Sequence, residues 1–94
     1  MRPLVVGDVV KCKRFILGNE PGTEGVVYEM YAIGESHGVS VIFANGEYDG
    51  FAPDEQALFL ERVGHDEWLS GYKFENVMKL SKDFDDGVFD IISN

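Results

Sequence analysis

The chain of 94 residues carries 8 Lys and Arg against 17 Asp and Glu, a net charge of −9, with 45% hydrophobic and 13% aromatic residues. A chain of this length suits one domain that buries roughly 60 to 65% of its unfolded surface, and its apolar content excludes a chain that is disordered throughout. The acidity is spread over the whole sequence, which disfavours non-specific binding to a phosphate backbone.

The opening MRPLVVGDVVKCKR holds an apolar run too short for a signal-peptide core or a membrane span, so the chain reads as cytoplasmic with no membrane partner. Its single Cys12 agrees, because small secreted domains carry paired cysteines. Val6, Asp8, Val10, Cys12 and Arg14 alternate with Val9, Lys11 and Lys13, predicting a strand from about Asp8 to Arg14. After the loop FILGNEPGTE, the β-branched and aromatic run GVVYEMYAI predicts a strand from Gly25 to Ile33 that ends at the loop GESHG.

A third strand follows from Val39 to Ala44, and Asn45-Gly46 supplies the two positive φ angles of a type I′ turn into a fourth. That turn sets Phe43 opposite Tyr48, Val41 opposite Gly50 and Val39 opposite Ala52 on the core face. Ile42 and Phe51 then share the other face, with Tyr31 on the neighbouring strand. APDEQ suits one helical turn, and ALFLERV a fifth strand. Five short strands make a small barrel, which leaves no exposed sheet edge.

In the last thirty residues, Tyr72 to Leu80 alternate as in a strand, Ser81 suits an N-cap, and Phe84, Val88 and Ile91 form one helical stripe. Gly87 within that helix costs up to ~1 kcal/mol. The expected organisation is a single domain over 1–94, with a barrel over 7–63 and a strand-plus-helix extension over 64–94.

The segments GDVV, PGTEGVV, GVSVIFANGEYDGFAPDE and LFLERV together resemble an SH3-like barrel of the KOW and Tudor type, over about Gly7 to Val63. The resemblance implies a mainly β, five-stranded SH3-like barrel. The loop before the second strand departs from the nucleic-acid-binding members, since it carries Glu20 and Glu24 where those tend to carry Lys or Arg. A shared fold does not carry its ligand with it.

For chemistry, the sequence holds no G-x-S-x-G, Walker loop, HExxH or C-x-x-C, so neither an enzyme nor a cofactor is expected. Cys12, His37 and His65 lack ligand spacing, and Asp66, Glu67 and KDFDD lack that of a calcium loop, so no metal is expected. The aromatic residues Phe15, Tyr28, Tyr31, Tyr48, Phe51 and Trp68 offer core packing or a peptide-binding groove. Tyr31, Ile42 and Phe51 are the candidate apolar binding face, unless Phe84, Val88 and Ile91 of the extension cover it. Lys11, Lys13 and Arg14, near Arg2, form the alternative basic patch.

The expected function is therefore non-catalytic binding of a protein partner. A second copy through an unpaired edge, a KOW-type nucleic-acid-associated role, and acidic mimicry of nucleic acid are the alternatives.

Overall fold

In the computed structural model, which describes residues 3–92, five antiparallel strands form one sheet. They are β1 (Asp8–Cys12), β2 (Glu24–Ile33), β3 (Ser36–Phe43), β4 (Tyr48–Phe51) and β5 (Leu60–His65), ordered β4-β3-β2-β1-β5. Two helices accompany them, α1 (Pro53–Phe59) and α2 (Val77–Asp85), with a 3₁₀ turn at Leu69–Gly71. No ladder joins the end strands β4 and β5 among the described residues, and α1 is the segment that connects them. Arg2 lies outside the described residues.

The turn after β3 differs from the expected one, and the difference moves a whole strand. The Phe43 amide donates to the Glu47 carbonyl and the Gly46 amide to the Phe43 carbonyl, both at 2.8 Å, enclosing Ala44, Asn45 and Gly46. Of these three only Gly46 has a positive φ, +86°, the geometry of a three-residue loop closed by a left-handed glycine. Asn45 spends its side chain instead, accepting from the Glu47 amide at 3.0 Å and donating to the Leu17 carbonyl at 3.0 Å. The extra loop residue slides β4 by one, setting Ile42 opposite Tyr48, Val41 opposite Asp49 and Val39 opposite Phe51. Strand side chains alternate between faces, so every β4 side chain changes side.

Phe51 thus leaves the face it was expected to share with Ile42. It is 2% exposed and packs among Val10, Val27, Val39, Val41 and Phe43 on the inner face. Its ring meets Phe43 edge-on, with centroids 6.3 Å apart, and Phe59 of α1 at 6.2 Å. Helix α1 runs two turns rather than one. Pro53 opens it with a fixed φ, and the Glu55 carboxylate accepts from the Ala52 amide at 2.9 Å. Gln56 ties it to the sheet by donating to the carbonyls of Phe51 and His37.

Ile42 stays on the outer face, at 1% exposure beside Val26, Tyr28 and Ala44. The C-terminal extension covers that face with Leu69, Leu80, Phe89 and Ile92. The covering set differs from the expected stripe: Phe84 and Val88 only flank the cluster, and Ile91 is exposed. The cause is where α2 starts and stops. The Asn76 carboxamide oxygen accepts from the Lys79 amide at 2.9 Å, so the helix begins at Val77, within the segment expected to be a strand as far as Leu80. At the other end Gly87, with φ +88°, terminates the helix where it was expected to continue.

A buried carboxylate secures the extension. Asp83 accepts from the Tyr72 hydroxyl at 2.7 Å and from Lys79 Nζ at 3.0 Å, one helical turn back. The tyrosine hydrogen bond, helped by Lys79 and opposed by burial, holds the Asp83 carboxyl below its usual range. Burial and the same carboxylate raise Tyr72 well above an ordinary phenol. Tyr28, opposite the extension, is pushed up to about 12 by burial, against a hydrogen bond with Ser40.

Candidate functional site

One candidate for a site lies where the inner core opens between elements. A groove of about 530 Å³ runs between the segment before β1, the start of β3, α1 and β5. Leu4, which packs on the inner core, and the buried Leu60 form its floor together with Ala57 and Pro53. Lys13, His37 and Arg62 stand on its rim, all exposed. No carboxylate lines it among the described residues, although the chain has 17 of them.

Lys13 and Arg62 each have a local reason for their position. Past the end of β1, the Lys13 amide donates to the Phe59 carbonyl at 2.8 Å. This brings its Nζ to the Ala57 carbonyl, 2.8 Å away in the last turn of α1, where a cation is favoured. Arg62 points its Nε at Asp8, 3.3 Å away. Asp8 is fully buried and also accepts from the Val5 amide at 2.9 Å and meets His65 Nδ1 at 2.7 Å. The Asp8 carboxylate therefore locks β1 to β5 and positions Arg62 from behind the groove. The second nitrogen of His65 faces Glu67 at 3.8 Å rather than a hydroxyl or thiol, which makes the ring a brace.

The two sets of residues expected to form a site are both dispersed. Ile42 is sealed beneath the extension and Phe51 lies in the opposite core. Tyr31 remains half-buried on the outer face, its ring lying over Gly38 and Gly50, where a Cβ would stand 2.3 Å and 2.7 Å from it. The basic patch also divides. Lys13 belongs to the groove, whereas Lys11 lines a separate hollow with Glu20 and Glu24, and Arg14 is exposed without lining either. Among the large exposed apolar side chains, Met78, Val77 and Tyr48 share one shallow hollow, whereas Trp68 stands apart beside Tyr72 and Lys79. Isolated exposure like that of Trp68 is ordinary on a protein surface.

Arg62, His37, Leu4 and Ala57 went unrecognised as neighbours because they come from four separate segments. Only Lys13 carried a sequence signal, its membership of the basic cluster. Comparison of the chain with protein-family models, curated proteins and solved structures finds no match.

Proposed function

We propose that this chain is a non-catalytic, cytoplasmic protein-interaction module on an SH3-like barrel, and that it takes a segment of a partner protein into the groove between α1, β5 and the start of β3. The strand order β4-β3-β2-β1-β5, with a short helix between β4 and β5, supports the SH3-like reading. The observation that carries the binding reading is the groove itself, of a size that holds a few side chains, lined by apolar Leu4, Pro53, Ala57 and Leu60 together with a few polar groups, Lys13, His37 and Arg62 among them. The buried free thiol of Cys12, donating to the Glu20 carbonyl at 3.0 Å, suits a reducing compartment.

Photo-crosslinking tests this. With benzoylphenylalanine at position 36, on the exposed lining of the groove, the protein in a lysate of its source cell should capture discrete proteins, and adding Lys13→Glu should lose them. Crosslinks from position 78 but none from 36 would move the site elsewhere. Salt-sensitive retention of DNA or RNA, abolished by Lys11→Glu, would replace the protein-binding reading with the nucleic-acid one.

A further inference from the structure

We infer that the occupant of this groove is an acidic segment of a partner protein, one that presents a carboxylate beside an aliphatic side chain. The inference rests on the groove reading above and adds the chemistry of the ligand. In a chain with 8 cationic and 17 anionic residues, two cations and an imidazole share this rim with no lining carboxylate among the described residues. The carboxylate that Arg62 meets, that of Asp8, is fully buried and does not line the groove.

Both cations keep donors to offer. An ammonium has three N–H groups, and Lys13 directs one to the Ala57 carbonyl. A guanidinium has five, and Arg62 faces Asp8 through Nε, so its terminal nitrogens can form the paired bonds that suit a carboxylate. On the same lining Leu4, Ala57 and Leu60 offer a carbon side chain an apolar contact.

The net charge of −9 does not oppose this at physiological salt. The screening length there is about 8 Å, so a bound carboxylate senses the rim more than distant acids. Like-charge repulsion over the rest of the surface discourages the same segment from settling elsewhere, a source of specificity by exclusion.

The experiment is selection of a phage-displayed random octapeptide library on the intact protein, followed by fluorescence anisotropy with the enriched peptides. Each peptide is compared with its Asp→Asn, Glu→Gln isostere, and the protein variants are Lys13→Glu, His37→Glu and Ala57→Arg. Circular dichroism checks the fold of each variant, and Lys13→Gln replaces any that fails to fold. Enriched sequences should pair Asp or Glu with Leu, Ile or Phe. The isosteres should bind about tenfold more weakly, Lys13→Glu should weaken binding by at least that factor, and Ala57→Arg should abolish it. Enrichment of neutral or basic peptides that Ala57→Arg abolishes would overturn the acidic ligand and leave the groove standing. Acidic peptides indifferent to all three variants would overturn the inference. No enrichment at all would overturn both the inference and the groove reading.

Discussion

Phe51 is the residue on which the expected and observed registers differ most, and replacing it tests the inner-face assignment. Phe51→Ala removes a ring that is 2% exposed, at a cost of about 3 to 5 kcal/mol. A chain of 94 residues has about 5 to 14 kcal/mol of total stability, so the variant should still fold near neutral pH in most of that range. The size of the loss alone does not identify the face, because burial beneath α2 would give the same figure. Coupling does. The Phe51 and Phe59 rings lie 6.2 Å apart, whereas Leu80 belongs to the cluster on the opposite face. In double-mutant cycles read by urea unfolding, Phe51→Leu should couple to Phe59→Leu by about 0.5 to 1.5 kcal/mol. With Leu80→Ala it should be additive to within about 0.5 kcal/mol. Coupling above 1 kcal/mol to Leu80 with none to Phe59 would refute the register, as would a Phe51→Ala loss below about 1 kcal/mol.

Three further outcomes follow from the outer face. Asp83 is held below its ordinary pKa, so the stability it contributes is present above about pH 4 and lost as pH falls through its folded value; acid titration of stability should be shallower in Asp83→Asn than in wild type. Tyr28 and Tyr72 have raised pKa values, so their contribution is full below about pH 10 and is lost as pH rises through their folded values, about 12 for Tyr28. An absorbance titration at 295 nm should therefore leave at least Tyr28 and Tyr72 largely neutral at pH 11 in the folded protein, with Tyr31 also raised by burial, and a single midpoint near 10 shared by all 4 tyrosines would contradict this. Gly38→Ala sets a methyl against the Tyr31 ring and should cost about 1 to 3 kcal/mol in wild type, but much less in a Tyr31→Ala background.

How far the fold was legible depended on which signal each residue carried. The strands β2 and β3 announce themselves through Val, Ile, Tyr and Phe, and the hairpin between them survives a small shift of its boundaries. The β3–β4 turn was legible in location but not in length, because Asn45-Gly46 serves equally as a two-residue turn or as the end of a three-residue loop. Only the Asn45 side chain's bonds to Leu17 and Glu47 decide it, and Leu17 is 28 residues away in sequence. That one residue of ambiguity inverted the face of Phe51. In the extension, the alternation from Tyr72 to Leu80 concealed Asn76 as a helix cap, since an isolated Asn reads as a turn residue as readily as a cap. The apolar excess on the outer face left two outcomes open for Ile42, a binding surface or cover by the extension, and of the expected covering residues Phe84 and Val88 do flank the cluster. The groove was illegible apart from Lys13, because adjacency among four segments is a product of tertiary packing.

The inner face packs the core and the outer face around Ile42 packs the extension, so on the reading proposed above recognition falls where strand ends and α1 meet. A site assembled this way depends on the mutual placement of its segments more than on any single contact. Gln56 is the clearest link between them, since its side-chain nitrogen donates to Phe51 at 3.0 Å and to His37 at 3.1 Å, joining α1 to β4 and to β3. Gln56→Ala should therefore cost only about 1 to 2 kcal/mol in global unfolding. Hydrogen exchange by mass spectrometry should show faster exchange in a peptide spanning 53–60, while peptides within 39–43 keep their protection relative to the global limit. Binding of an acidic octapeptide, where one is found, should fall by more than the loss of global stability accounts for. Uniform acceleration across both peptides would mean that the helix and sheet open together, and the groove would then be a rigid consequence of the fold with no independent hinge at Gln56.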